Sequence, residues 1–166
     1  MGRYKKNTFK EVREKLAKKL AGWKEKFLSK AENEVLIKAI AQAIPTYMMS
    51  CLKIPDSLCE KMTSLIRNFW QGKDEQKMAW MSWEKLCAPK ACGGMGFKQL
   101  KEFNLDLLAK QGWRLQTSVD SLLFRVFKVK YFPTSDFDAA SLGSHLSYAW
   151  RSLMVAQVVV REGSKW

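Results

Sequence analysis

The sequence predicts a mainly α-helical fold of about seven helices, with at most a small β-hairpin near residues 73–83. Two observations carry this. Apolar residues recur at three- and four-residue intervals along most of the chain, the spacing that lines one face of a helix. Helix-start signatures precede several of those runs, whereas one short apolar stretch, Met78-Ala-Trp-Met81, reads as a strand.

Thr8-Phe-Lys-Glu11 fits a capping box, in which a hydroxyl and a carboxylate three residues apart satisfy each other's backbone amides, so a helix is predicted to begin there. At about 100° per residue, Phe9, Val12, Leu16, Leu20, Trp23 and Phe27 fall within an arc of roughly 80°, a narrow buried stripe. Ser29-Lys-Ala-Glu32 repeats the box and opens a second helix. From there the pairs Val35/Leu36, Ala39/Ile40, Ala43/Ile44, Tyr47/Met48 and Cys51/Leu52 recur every four residues. Pro45 interrupts that run by removing one amide donor and crowding the carbonyl of Ala41. Because the apolar phase is unchanged across the proline, a kink is expected in preference to a break.

Pro55-Asp-Ser57 starts a helix that turns Leu58, Met62, Leu65, Ile66 and Phe69 inward, and Gly72 ends it. Residues 73–76 read as a polar turn, and Ser82–Leu86 as a helical turn. Gly93, Gly94 and Gly96 permit positive φ and make a tight connection back to the core. Leu100–Leu115 is predicted as a helix with Phe103, Leu107, Leu108, Gln111 and Leu115 on successive turns. Ser121–Tyr131 is another, with Leu122, Val126 and Val129 inward and Arg125, Lys128 and Lys130 outside. Pro133 stops it, and a polar loop to Ser147 leads to a last helix through Val160. At 166 residues and 47% hydrophobic content the chain can bury a core of its own. Residues 1–54 form a basic helical segment and 55–166 a second helical segment, expected to join in one continuous globular unit.

A net charge of +13 argues for a polyanionic partner. The charge is uneven: residues 1–30 hold eleven cations against three anions, so +8 of the +13 lies there. On the wheel of the first helix Lys15, Lys19 and Lys26 flank one rim of the buried stripe and Lys10, Arg13 and Lys24 the other. Together with Lys5, Lys6, Lys18 and Lys30 these are the candidate phosphate-binding residues. Long lysine side chains also snorkel around any apolar stripe, so a solvated rim is the competing reading. Seven tryptophans invite a base-stacking reading. Trp23, Trp113 and Trp150, however, sit at helical positions beside Leu or Phe and are expected in packing.

Other chemistry finds little support. Cys51, Cys59, Cys87 and Cys92 lack the paired spacing of a zinc site, and His145 is the one histidine, so reduced, mostly buried thiols are expected and neither metal nor cofactor. The glycine turn neither ends in Gly-Lys-Ser/Thr nor follows a strand of a βαβ unit, as a nucleotide loop requires. No nucleophile–base pair or carboxylate cluster is visible. No apolar run approaches the roughly 18 residues of a membrane span, and no secretion signal opens the chain. An intracellular protein is expected, in nucleus or cytoplasm with an organelle still open, and without a membrane partner.

The run Leu108-Ala-Lys-Gln-Gly-Trp-Arg-Leu115, with Gly93-Gly-Met-Gly-Phe97 before it and Tyr131-Phe-Pro133 after it, resembles the region that follows the polymerase in LINE-type non-LTR retrotransposons of plants. Gly22-Trp23, Glu34-Val-Leu-Ile-Lys38, Ala43-Ile-Pro45, Phe69-Trp70, Leu86-Cys87, Pro89-Lys90, Phe103-Asn104 and Trp150-Arg-Ser152 extend the resemblance over most of the chain. Gln71 and Met95 depart from the pattern, where an aromatic and a leucine are commoner. The resemblance implies the end of a thumb and the connecting region of an RNA-directed DNA polymerase, with the palm before it and a Cys/His-rich or ribonuclease H segment often after it. The palm's aromatic-x-Asp-Asp turn is missing, since no two Asp residues are adjacent in these 166 residues.

The expected role is therefore non-catalytic: holding a template–primer hybrid, duplex or structured RNA through phosphates, without regard to base sequence. The alternative is a transposon-derived helical interaction protein recruited into a larger ribonucleoprotein, with other domains or subunits as partners.

Overall fold

The computed structural model describes residues 3–26, 28–72, 81–143 and 147–163, with side chains from residue 7 onward. Among them are eight α-helices and no strand: α1 (Arg3–Lys24), α2 (Lys30–Leu36), α3 (Thr46–Cys51), α4 (Asp56–Gln71), α5 (Trp83–Cys87), α6 (Leu100–Thr117), α7 (Leu122–Tyr131) and α8 (Tyr148–Gly163). A π-helical turn at Ile37–Ala41 and a 3₁₀ turn at Lys90–Cys92 complete them. The fold is mainly α, as the periodicity requires. The hairpin expected near residues 73–83 falls largely on residues 73–80, which lie outside the described residues.

Two helix boundaries show how local signals compete with context. At Ser29 the capping box forms: the Glu32 amide donates to Ser29 Oγ at 3.3 Å, and the Ser29 amide donates back to Glu32 Oε2 at 2.7 Å. At Thr8 it does not set a boundary, because α1 runs through it from Arg3. No Gly or Pro lies between Arg3 and Thr8 to stop the helix extending backward. Around Pro45 the chain breaks where a kink was expected. The Gln42 amide bonds back five residues to Ile37 at 3.0 Å, Ala43 and Ile44 both bond to Ile40, and α3 restarts at Thr46. Proline supplies no donor for Ala41, and the π turn disposes of the helix end one residue early.

The chain divides into two compact units, Met1–Tyr47 with Ile54–Lys101, and Met48–Lys53 with Glu102–Trp166. In the first, α1 packs along α4 and α2 also touches α4. Phe9, Leu16 and Leu20 of α1 and Cys59, Met62, Ile66 and Phe69 of α4 are buried there, as are Ile37, Trp83, Leu86 and Phe97. Phe97 stacks on Trp83 at 5.6 Å and meets Trp70 edge-on at 5.3 Å. The glycine turn delivers Phe97 to that position: Gly93 and Gly96 take φ of 77° and 67°, and the amides of Met95 and Phe97 both bond to the Leu86 carbonyl. Gly94 serves differently, since a Cβ on it would lie 2.0 Å from the Ala88 carbonyl oxygen.

In the second unit Trp150 is fully buried and ringed by aromatics: Tyr131 stacks on it at 4.9 Å and Phe132 at 5.7 Å, with Phe137 edge-on at 6.1 Å. The segment after Pro133 is tied down by Gln157 of α8, whose amide nitrogen reaches the carbonyls of Phe137, Asp138 and Ala140 at 2.6, 3.1 and 3.1 Å. Buried Asn104 of α6 donates to the carbonyls of Met49 and Leu52 at 2.7 and 3.0 Å, satisfying acceptors at the end of α3.

α7 corrects the sequence reading. Leu122, Val126 and Val129, expected inward, are 75%, 51% and 80% exposed, while Leu123, Phe124, Phe127 and Tyr131 pack against the core around Trp150. The helix is apolar nearly all round, so two phases compete, and the one that packs three half-buried rings against the core wins because an aromatic covers far more area than a valine. Trp113, expected in packing, is 46% exposed on α6.

Candidate nucleic-acid interface

The cations of α1 are sorted by which side of the buried stripe they leave. On one side Lys15, Lys18, Lys19 and Lys26 line a groove of about 510 Å³ together with Gly22 and Trp23. Positions i, i+3, i+4, i+7 and i+8 share one face, so the convergence of Lys15, Lys18, Lys19, Gly22 and Trp23 follows from helical spacing. Lys26 joins them from the turn after α1, where its amide bonds to the Trp23 carbonyl at 3.0 Å. No carboxylate lines the groove. Trp23 is half-buried: its ring sits 5.9 Å from Phe69 while the indole also forms part of the groove wall. The expectation of a packed Trp23 therefore covers only one of its two contacts.

The opposite side is chemically different. Arg13 lines a groove of about 570 Å³ with Glu14, Ser57, Glu60, Lys61 and Asn68, and an adjoining one with Lys10, Phe9 and Lys61. Lys10 and Glu14 approach to 3.7 Å. Here the acids offset the bases. Lys61 belongs to α4, and its pairing with Arg13 depends on how α4 packs on α1, which no spacing within either helix reveals.

The remaining candidates lie apart from the groove. Lys30 donates to the Trp70 carbonyl at 2.6 Å with its ammonium 5.1 Å from the Trp70 ring centre, a cation–π contact that pins the start of α2 to the end of α4. Lys24 is exposed on the last turn of α1. Lys5 and Lys6 are on the first turn of α1, and their side chains lie outside the described residues.

No group of three His, Cys, Asp or Glu converges as a metal site among the described residues, and His145 lies outside them. The four cysteines form no disulfide, but they are not mostly buried as expected: Cys59 is buried, Cys87 half-buried, and Cys51 and Cys92 exposed. Among the described residues no helix is long and apolar enough to cross a membrane.

An uncharacterised mitochondrial protein of Arabidopsis thaliana is 40% identical to this chain over 124 residues, which make up 73% of the chain and 80% of that protein. The chain belongs to the family of that protein. A second Arabidopsis thaliana protein, named "Putative ribonuclease H protein", is 34% identical over 169 residues, covering 99% of the chain and 27% of that longer protein. Both matches are consistent with a transposon-derived chain. No family model and no solved structure matches.

Proposed function

We propose that this chain is a non-catalytic nucleic-acid-binding segment of a LINE-type reverse transcriptase, the end of the thumb and the connecting region, which holds template–primer or structured RNA by its phosphates. The observation that carries this reading is the groove on α1: four lysines converge with no acid among its lining residues. Ammonium groups so placed displace counterions from a phosphate backbone, a contribution to binding that is independent of base sequence. The longer relative supports the parent setting, because a protein named for ribonuclease H contains the whole region within about a quarter of its length.

A second reading, a transposon-derived protein recruited as a helical component of a ribonucleoprotein, draws on the mitochondrial relative, of which the match leaves only a fifth uncovered. Both readings keep the chain inside the cell, in nucleus, cytoplasm or an organelle. Neither asks the chain for phosphoryl transfer, which needs carboxylates holding two metal ions across the reacting phosphate.

The test is a salt titration of binding to RNA–DNA hybrid and to duplex RNA by the parent and by the triple variant Lys15→Glu, Lys19→Glu, Lys26→Glu. Loss of about three phosphate contacts should make the slope of log affinity against log salt shallower by roughly 3 on duplexes, with scrambled sequences behaving alike. Unchanged affinity in a variant that keeps its helical circular dichroism refutes the nucleic-acid reading and leaves the interaction-protein reading ahead.

A further inference from the structure

α7 has an outward face that neither its own core nor the α1 groove uses. Leu122, Val126 and Val129 are 75%, 51% and 80% exposed and stand at i, i+4 and i+7, so they form one stripe and not three scattered surface residues. Arg125 and Lys130, both exposed, border the stripe on either side, the Lys130 ammonium resting 5.5 Å from the Tyr131 ring centre, and α7 contains no acid. Lys128 is turned elsewhere, donating to the Ser135 carbonyl at 2.8 Å. On the inner face Phe127 and Tyr131 lie 6.2 and 4.9 Å from the Trp150 ring, which fixes the rotation of the helix about its axis. The stripe is held ready for contact, so little ordering is required of it on binding.

We infer that this face docks an amphipathic helix of a protein partner whose own apolar stripe is flanked by carboxylates. The inference goes beyond the proposed nucleic-acid role, which rests on α1. Charge decides between occupants. Phosphates would pair with Arg125 and Lys130 but leave Leu122, Val126 and Val129 in water. A second copy of the chain would bring the same two cations against themselves, with a net charge of +13 on each molecule. An acidic amphipathic helix covers the stripe and pairs both flanks at once, the arrangement that sets partner choice in paired helices.

The experiment uses the full chain and a fluorescent helical peptide with leucines at i, i+4 and i+7 flanked by glutamates. A twin peptide with lysines in place of the glutamates, phosphatidylserine-containing vesicles and light scattering for self-association complete the arms. The Glu-flanked peptide should bind in preference to its twin. The double variant Val126→Asp, Val129→Asp should weaken that binding at least about tenfold, as loss of central interface contacts does. Arg125→Glu with Lys130→Glu should reverse the preference toward the Lys-flanked twin. All four positions are exposed, so unchanged circular dichroism is the control for folding. The proposal is overturned if neither peptide binds or both bind equally, if Val126 and Val129 mediate vesicle binding while the peptide ignores them, or if they mediate self-association.

Discussion

A Cβ on Gly112 would lie 3.0 Å from Cε1 of Phe137, and as close to Cγ2 of Val160, so the centre of α6 is glycine because a ring and α8 press against its backbone. Phe137 has little room to withdraw, being 1% exposed and packed against Phe132 and Trp150. Two opposing terms meet here. Alanine gains up to about 1 kcal/mol over glycine inside a helix, whereas overpacking a tight core costs about 1–3 kcal/mol. Gly112→Ala should therefore lower stability, by about 1 kcal/mol. Gly22→Ala should raise it by up to about 1 kcal/mol, since nothing lies within 4 Å of its missing Cβ. Urea midpoints moving in opposite directions bear this out; a higher midpoint for Gly112→Ala contradicts the close contact.

The two faces of α7 should respond unequally to truncation. Phe127→Ala removes a half-buried ring packed against the Trp150 core and should cost up to about 3 kcal/mol, the lower end of the range for a fully buried ring. Val129→Ser, at a position 80% exposed, should stay within about 0.5 kcal/mol of the parent. Equal losses would restore the inward phase for Leu122, Val126 and Val129.

That contrast also marks where the sequence is legible. In α4 the apolar residues occupy one face and polar ones the other, so Met62, Ile66 and Phe69 are assigned to the core from spacing alone, as they are found. In α7 apolar residues surround the axis, and the choice of phase belongs to Trp150, nineteen positions beyond Tyr131 in the chain. Asn104 is opaque for the same reason: its burial makes sense only once the carbonyls of Met49 and Leu52 are in place to receive its amide. The lysine groove is legible on the α1 wheel, but the acids that offset the opposite rim include Glu60 of another helix.

Glu34 accepts from Lys38 and from Lys90, both at 2.8 Å from Oε1, and those two hydrogen bonds hold its carboxyl below the ordinary value of 4.5. A carboxyl depressed in the folded state stabilises the fold above its unfolded value, and that contribution disappears as pH falls through the folded one. Stability should thus decline with acid below about pH 4.5, and Glu34→Gln should flatten the decline while lowering stability at neutral pH. Urea midpoints at pH 6 and pH 3 provide the comparison. If the parent and Glu34→Gln lose the same amount on acidification, Glu34 is not a source of the pH dependence.

The two rims of α1 should not be equivalent in binding. Lys15 and Lys19 face a groove without acids among its lining residues, whereas Arg13 shares its groove with Glu14 and Glu60, and Lys10 lies 3.7 Å from Glu14. A phosphate approaching Lys10 and Arg13 meets carboxylates alongside the cations, so fewer counterions are released there per positive charge. Lys15→Glu with Lys19→Glu should make the duplex salt slope shallower by about 1.8, two contacts at about 0.9 each. Lys10→Glu with Arg13→Glu should change it by less than about 1, although both doubles alter the net charge equally. Filter binding of duplex RNA from low to physiological salt separates the cases. Equal slopes for the two doubles would mean that overall charge attracts the nucleic acid and that the groove has no special part in holding it.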